Sequence, residues 1–399
     1  MKQTKQSRDT ALKRRWTTVA HVCNLERCHL NLRLLAAAVA VSLFSTWTAA
    51  APNHDKALFS IRKGDLHGLI NAAGQVVVPA EFAEVKIGDP LILVRKGSRT
   101  AYLERNGHMA IEPQDNWSEP FAEGLMPAPA RDSQGRTRWG YADAQGRMAI
   151  PAGYETAGPF VDGLAVVSQL DTWGTPKYGA IDRSGKLVVP AVHDKLLPPA
   201  GGLVRAETKD RGHRVFDRSG RDITPAGVDW AGVASDGMVR VASGRTYGFM
   251  TVAGDLRMPP RFQQASDFKE GRARVWVAGK YGFVDKRGEM VVPAKFDTAE
   301  DFADGLALVW LDGKAFFIDG EGRTVLQPQG DRLSSFSEGL AAIRVAGKHG
   351  YIDKSGRFVI EPQFSFARPF KQGLAYVGEG RASGYIKADG KYVWRDESR

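Results

Sequence analysis

The side chains that most often carry catalysis or bind metals are scattered along this sequence. Three of the eight histidines occupy a slot that elsewhere holds Tyr or Trp: His67, His213 and His349. Three others lack ligand-like spacing to further histidines or acids: His54, His108 and His193. No G-x-S-x-G, P-loop or dinucleotide-binding fingerprint occurs. We therefore expect no catalytic residue, no cofactor site and no metal site.

Acidic side chains recur regularly and suggest a ladder for cations. Asp or Asn opens a turn in seven places: Asn71, Asp143, Asp182, Asp217, Asp285, Asp319 and Asp353. A second acid precedes each of five glycines: Gly163, Gly237, Gly271, Gly305 and Gly339. Calcium needs six to eight converging oxygens, whereas each turn supplies one carboxylate beside basic residues. The pattern favours turn capping over metal binding, and no carboxylate pair is singled out for glycoside hydrolysis.

Two longer connections hold the best candidates for a binding site. The segments 131–138 and 169–177 are each five residues longer than the same connection in other repeats. Insertions at one repeat position project from one face of an array, often its binding face. The candidates for contact with an anionic or glycan partner are Arg131, Arg136, Arg138, Trp139, Trp173 and Lys177. The alternative is tolerated surface drift, since loop length adds little closure entropy.

Trp276 and Trp310 are two further candidates, because they occupy the same repeat position 34 residues apart. If that position faces solvent, the two rings form an aromatic pair suited to a sugar or a protein hot spot. If it faces inward, they belong to the core, which is the favoured interpretation.

These residues are carried by a repeat that runs from residue 60 to the end of the chain. Its most regular landmark is a turn glycine, found at Gly74, Gly107, Gly146, Gly185, Gly220, Gly254, Gly288, Gly322, Gly356 and Gly390, most often at intervals of 34 residues. Self-similarity at one period is the signature of a repeat architecture and outranks local signals.

The segment 281–314 shows one unit most clearly. Gly282-Phe283-Val284-Asp285 predicts a short strand, and Gly288 supplies the positive φ of a tight turn. A second strand, a bridge holding one aromatic residue, and a third strand follow. Each unit therefore has about three short strands that must stack on neighbours to bury their apolar side chains, and the fold class is all-β.

The units resemble the WG (KWG) repeats of bacterial proteins. The resemblance rests on 139–143 (WGYAD), 281–285 (YGFVD) and 349–353 (HGYID), and it covers about ten units. It departs at Ala101, Arg214 and Phe316, where the first glycine of the motif is replaced. The resemblance implies exported or surface β repeats used for interaction, and it supplies no catalytic residues.

We expect the units to stack into an elongated, twisted, solenoid-like array, with a closed β-propeller-like ring as the alternative. Residues 58–61 and the last unit, ending near Trp394, are then end pieces. The expected organisation is a leader at 1–51, one array at 52–394, and a tail at 395–399. The units lie at about 67–99, 100–138, 139–177, 178–212, 213–246, 247–280, 281–314, 315–348, 349–382 and 383–394.

The first 51 residues predict export. The apolar run at 34–44 follows Arg33, is too short to span a bilayer, and precedes small residues that suit cleavage after Ala50. An uncleaved leader anchored in the inner membrane is the alternative. Both cysteines lie in this leader, and without it the net charge falls from +10 to +4. The remaining charges are interspersed, which argues against nucleic-acid binding.

The sequence thus predicts a non-enzymatic exported protein of the periplasm or cell surface that acts as a scaffold for another envelope or extracellular protein. A glycan- or peptidoglycan-binding module using exposed Trp and the long connections is the alternative. A hydrolase is the least favoured interpretation. Contact with a membrane is expected only through an uncleaved leader.

Overall fold

The computed structural model describes residues 56–208, 212–380 and 382–396, so the predicted leader lies outside the described residues. The described chain contains 37 β-strands in ten antiparallel sheets and no α-helix. None of its segments is a helix with the length and apolar character needed to cross a bilayer. The prediction of an all-β repeat fold is confirmed.

The ten sheets, numbered here as blades in chain order, have the following strands. Blades 1 to 3 contain β1 Leu58–Lys63, β2 Leu66–Asn71 and β3 Val76–Phe82; β4 Glu84–Ile87, β5 Ile92–Lys96, β6 Arg99–Leu103 and β7 Met109–Gln114; β8 Leu125–Arg131, β9 Thr137–Asp143 and β10 Met148–Tyr154. Blades 4 to 6 contain β11 Thr156–Ala157, β12 Leu164–Leu170, β13 Pro176–Asp182 and β14 Leu187–His193; β15 Lys195–Ala200, β16 Leu203–Thr208 and β17 Gly212–Phe216; β18 Trp230–Ser235, β19 Met238–Ser243, β20 Thr246–Thr251 and β21 Leu256–Phe262.

Blades 7 and 8 contain β22 Gln264–Ala265, β23 Arg272–Val277, β24 Lys280–Asp285 and β25 Met290–Phe296; β26 Thr298–Ala299, β27 Ala307–Leu311, β28 Lys314–Ile318 and β29 Thr324–Leu326. Blades 9 and 10 contain β30 Arg332–Leu333, β31 Ala341–Val345, β32 Lys348–Ile352 and β33 Phe358–Phe364; β34 Phe366–Ala367, β35 Ala375–Glu379, β36 Ala382–Ile386 and β37 Tyr392–Asp396.

A complete blade is a meander of four strands, which we call A, B, C and D. In blade 7 these are β22, β23, β24 and β25, paired in that order. Strand A has only two residues here, which explains why the sequence suggested about three strands per unit. The sequence unit and the blade are also out of register. The unit 281–314 starts in strand C of one blade and ends in strand C of the next, so each blade begins in the middle of a unit.

Alternating strand directions give each blade two ends. The A–B and C–D turns lie at one end, and the B–C hairpins lie at the other, which we call the hairpin face. The B–C hairpin of blade 7 turns at Ala278 and Gly279, both with positive φ, and the C–D turn has Gly288 at φ 90°. Positive φ at both central residues suits the twist of a two-residue hairpin.

The apolar core lies between successive blades. One cluster joins Phe249 and Met258 of blade 6 to Phe268 and Val275 of blade 7. The ring of Phe268, from the A–B turn, stands 4.8 Å from the ring of Phe249 in an edge-to-face arrangement. Because no single small sheet buries its apolar side chains alone, each blade depends on its neighbours.

The first and last blades pack against each other, so the blades form a closed ten-bladed β-propeller. Phe59 of β1 contacts Tyr385 of β36 at 5.3 Å between ring centroids, and Leu374 joins the same buried cluster. The expectation of an open, elongated array is therefore wrong, and the closed alternative is correct. Residues 58–61 and the last unit are not end pieces with bare faces, because each covers the other.

The glycine in the Trp-Gly or Tyr-Gly step lets strand D cross strand C closely. A Cβ on Gly282 would lie 2.6 Å from the carbonyl oxygen of Val292. Where Ala101 replaces this glycine, the strand D of blade 2, β7, still has six residues. Six blades with this glycine have a seven-residue strand D: β3, β10, β14, β21, β25 and β33. Where Phe316 replaces it, β29 has three residues. Where Arg214 replaces it, blade 5 has only an isolated bridge, from Phe216 to Asp222.

Candidate functional site

The two long connections predicted from the sequence are extended B–C hairpins on neighbouring blades. Strands β8 and β9 of blade 3, and β12 and β13 of blade 4, each have seven residues. Relative to blade 7, each connection adds two strand residues and lengthens the turn from two residues to five. Asp132 caps the first turn, since its Oδ1 accepts the N–H of Gln134 at 2.8 Å and of Arg136 at 2.9 Å. The hairpins project from the hairpin face as ordered structures.

The basic side chains of these hairpins are paired within the protein. The Nε of Arg136 donates to Asp132 at 2.9 Å, and Arg138 forms an ion pair with Glu155. The Nζ of Lys177 donates to Asp194 at 2.6 Å. Arg131 donates to the carbonyl oxygen of Gly135 at 2.8 Å. An anion would have to displace these partners, so the arrangement stabilises the hairpins and disfavours a purely charge-driven site.

Trp173 stands at the tip of the second hairpin and is 89% exposed. Its backbone N–H donates to Asp171 Oδ1 at 2.8 Å, and the N–H of Thr175 donates to the same oxygen at 2.9 Å. The turn therefore holds the backbone of an exposed indole in a fixed conformation. Such a ring offers a large apolar contact area to a partner.

Trp139 and Arg131 come together on the first hairpin. They line a groove of about 230 Å³ with Asn116, Pro129, Ala130 and Thr137. Trp139 is partly buried and pairs with Pro129 across the strands. The groove is small, and it combines the indole ring of Trp139 with a few polar groups.

Trp276 and Trp310 are partly buried and belong to separate packing groups. Trp276 packs against Tyr281 across its own hairpin, with 4.5 Å between ring centroids. Trp310 packs on the cluster of Leu308 and Phe317. Neither ring is fully inside or freely exposed, and each is engaged within the protein rather than offered as an outward pair.

The recurring acid before the second glycine links neighbouring blades. The backbone N–H of a glycine in one blade donates to the carboxylate of the preceding blade in six places: Gly163 to Glu123, Gly202 to Asp162, Gly271 to Asp236, Gly305 to Glu270, Gly339 to Asp304 and Gly373 to Glu338. These acids have φ between 48° and 54°. Their carboxylates are hydrogen-bond acceptors between blades, and we call the series the acid–glycine ladder.

The aspartates that open the C–D turns also accept hydrogen bonds from the backbone. Oδ1 of Asp285 accepts the N–H of Arg287 at 2.9 Å and of Glu289 at 3.0 Å. Among the described residues, no three His, Cys, Asp or Glu side chains are grouped so that they could hold a metal ion. His349 packs opposite Phe364 in strands C and D, and burial lowers its pKa, as fits an aromatic slot.

One site has no counterpart in the sequence analysis. A groove of about 660 Å³ lies where the first blade meets the last, lined in part by Phe59, Arg368, Lys371, Tyr376 and Tyr385. No local motif marks it, because it exists only where residues near 60 meet residues near 370. An alignment of the first repeat with the others could have revealed this groove. The sequence before β1 has no recognisable strand A and lacks the aromatic residue that follows strand A in other repeats.

These features define a class of protein, a closed β-propeller built from ten copies of one tandem repeat. The chain belongs to the WG containing repeat family, whose family model matches residues 139–173, 178–211, 247–281, 281–314, 316–348 and 350–380. A comparison with curated proteins finds no match.

Several solved structures are similar to this chain at low identity. A eukaryotic initiation factor is 12% identical with a TM-score of 0.49, and the match covers 85% of this chain and 95% of that chain. PorZ, a surface component of the type-IX secretion system of Porphyromonas gingivalis, is 12% identical with a TM-score of 0.26, covering 79% and 52%. The extracellular domain of a hybrid two component system from B. thetaiotaomicron is 10% identical with a TM-score of 0.24, covering 86% and 64%.

Proposed function

We propose that this protein is a non-enzymatic binding scaffold of the bacterial envelope, and that it recognises a partner protein through the tips of its two long hairpins. The observation that carries the proposal is Trp173, which is 89% exposed on a capped turn. Tryptophan is enriched among the residues that dominate protein interfaces. Burying such a side chain removes about 150–250 Å² of surface from water.

The surroundings of Trp173 favour a protein partner. The ring stands on a projecting turn rather than in a cleft, so it would enter a pocket on the partner. The neighbouring Lys177 is already paired with Asp194, which leaves the apolar ring as the main contact. Because Asp171 fixes the turn, little backbone freedom is lost on binding, and this preorganisation favours affinity.

Site-specific photo-crosslinking in the native host tests this proposal. A photoreactive residue at Thr172 should trap one envelope protein, and Trp173→Ala in the same chain should abolish that adduct. The matched control places the photoreactive residue at Asp312, in the short B–C hairpin of blade 8, where no adduct with that protein is expected. The same adduct from both positions, or one that survives Trp173→Ala, would contradict the proposal.

Glycan binding is the second candidate, and the groove at Trp139 favours it. One indole face with Asn116, Arg131 and Thr137 beside it is a suitable surface for a single sugar ring, since a site of about 230 Å³ is below the usual range for small-molecule pockets. Calorimetry with soluble peptidoglycan fragments tests it. Saturable binding that is lost in Trp139→Ala and kept in Trp173→Ala supports this second function, while no binding to the intact protein removes it.

Export is part of the proposal and rests on the leader described from the sequence. N-terminal sequencing of the protein recovered from an envelope fraction would find Ala51 first if cleavage follows Ala50. Recovery of the intact leader in the inner membrane would instead support the anchored alternative, and recovery only from the cytoplasm would contradict export.

A further inference from the structure

The junction between the last and first blades differs from six of the other nine in its aromatic contact. At those six junctions a Phe that precedes strand B of one blade packs on the strand C aromatic ring of the blade before it, with centroids 4.7–5.2 Å apart. Phe370 on Tyr351 is one example. In the last blade, Tyr385 meets Phe59 instead, which lies in strand B of the first blade. The usual place of the Phe is therefore not taken by the described residues of blade 1.

The hydroxyl group of Tyr385 shows the same difference. Tyr351 donates to the carbonyl oxygen of Arg368, which lies 17 residues later beside strand A of the next blade. Tyr141 makes the equivalent bond to Gly158. Tyr385 donates to Ser60 of β1 at 3.0 Å. β1 is the edge strand of a three-stranded sheet, and the described chain has no strand A beside it. The hydroxyl group of Tyr385 therefore bonds directly to β1.

The space that results is the groove of about 660 Å³. Phe59, Tyr376 and Tyr385 form an aromatic floor, and Arg368 and Lys371 stand at its rim. Among the described residues neither cation has an ion-pair partner, and none of the described lining residues is acidic. At the junction of blades 6 and 7, by contrast, Arg240 is paired with Asp267. Among the described residues, the groove thus places two cations without an ion-pair partner beside apolar surface.

We propose that this groove binds an extended, acidic peptide segment of a partner protein that carries an aromatic residue, in the place that strand A and its Phe hold in five other blades. The aromatic side chain packs on Tyr385, and the acidic side chains lie near Arg368 and Lys371. Backbone groups of the peptide pair with the edge of β1 that no described strand occupies, the usual mode of strand addition. Gln372 lies at the repeat position that Glu338 holds in the acid–glycine ladder. Its side-chain oxygen therefore accepts an N–H of the bound peptide.

Charge favours a partner over the chain's own preceding residues. The segment 52–55 (PNHD) has one acid and no Phe, Tyr or Trp, so it offers little to two cations and an aromatic floor. The groove does not include Trp173 or Trp139, and its function is independent of the hairpin proposal. Either proposal can fail while the other stands.

The chain's own repeat supplies a probe. A fluorescent peptide copying residues 298–306 (TAEDFADGL) has three acids, a Phe and the turn glycine. We expect it to bind the exported full chain saturably, measured by fluorescence anisotropy. Arg368→Gln or Lys371→Gln should weaken binding about fivefold, as loss of one exposed ion pair would. Replacing the Phe of the peptide by Ala should weaken it about tenfold.

Two controls separate a site from general attraction. Lys269→Gln removes the cation at the repeat position of Lys371 on a filled junction, and it should leave binding unchanged. The basic peptide of residues 366–374 (FARPFKQGL) should not bind. Equal binding of both peptides, or equal loss in Lys269→Gln, would overturn the proposal.

A variant lacking residues 52–55 tests the other occupant. If the acidic peptide binds only after this deletion, the chain's own segment fills the groove and the partner proposal is wrong. Absence of binding with and without the deletion also overturns it. Binding of similar strength to both forms, in variants whose melting temperature matches the intact protein, supports it.

Discussion

Gly74 in the first blade lies directly against Val393 in the last blade, since a Cβ on this glycine would overlap the carbonyl oxygen of Val393. Neighbouring blades make the same contact, as Gly220 does with the carbonyl oxygen of Val188. The ring therefore closes with the contact that already joins consecutive blades. Closure packs the faces of the two terminal blades against each other, as in other propellers.

Substitution of Gly74 should destabilise the ring more than substitution of a glycine in open space. Gly74→Ala meets both the positive φ of 84° and the carbonyl of Val393, so we expect a loss of about 2–4 kcal/mol in unfolding free energy, from strain and overpacking together. Gly97→Ala is the control, because Gly97 has φ 62° and an added Cβ would have no atom within 4 Å. Chemical denaturation measures both, and equal losses would contradict the closure contact.

The acid–glycine ladder should contribute to the stability of the blade junctions. Asp304→Ala removes the acceptor for the N–H of Gly339, and we expect a loss of about 1 kcal/mol plus the cost of Ala at φ 53°. Asp304→Gly loses the same hydrogen bond but fits the positive φ, as Gly201 does naturally in blade 5. The Gly variant should therefore melt at a higher temperature than the Ala variant. Identical melting of the Ala variant and the intact protein would refute the role of the ladder.

Gly282 should be needed for the full length of strand D in blade 7. Gly282→Ala places a Cβ 2.6 Å from Val292 O and 2.7 Å from Ala294 N, and overpacking of this kind costs about 1–3 kcal/mol. Hydrogen exchange should become faster in β25. Gly153→Ala, in β10 and with nothing within 4 Å, is the matched strand control and should leave exchange unchanged.

The turn aspartates should make the fold sensitive to acid. The Ser355 hydroxyl, with the backbone N–H groups of Ser355 and Arg357, lowers the pKa of Asp353 from 3.8 to about 2. Because the folded-state pKa is the lower one, this stabilisation is present above pH 4 and is lost as the pH falls from about 4 to about 2. Asp353→Asn should flatten the fall of the melting temperature in that window.

A converse substitution checks the same cause. Asn71 holds the equivalent turn, with Oδ1 accepting the N–H groups of Ala73 and Gln75 at 3.0 Å. Asn71→Asp should therefore keep the turn and steepen the loss of stability below pH 4. If neither variant changes the acid dependence, the turn carboxylates are not its source.

Much of the local structure could be predicted from the sequence because it depends on neighbouring residues. Gly288 and Asp285 mark a turn by their own conformational and hydrogen-bonding preferences. The aromatic and β-branched side chains of Phe283 and Val284 mark a strand. The sequence also shows that Arg214 and Phe316 replace the repeat glycine. Predicting the effect on strand D requires the position of the strand D carbonyl that lies against this glycine.

The candidate binding residues were predicted less completely. The hairpins at 131–138 and 169–177 were located, and Arg131 and Trp139 do line one groove. The pairing of Arg138 and Lys177 with acids could not be predicted, because Glu155 and Asp194 belong to the connections that follow strand D. The exposure of Trp173 and the partial burial of Trp276 depend on how far each hairpin projects from its blade.

The sequence by itself determined that the chain is an all-β array of WG repeats, since period, turn glycines and strand pattern are all local properties. Only the tertiary structure decided that the array closes. Closure depends on a small rotation between neighbouring blades, accumulated over ten of them, and no single repeat encodes that sum. The contact of Gly74 with Val393, and the groove left beside Tyr385, follow from that closure and from nothing that one unit alone contains.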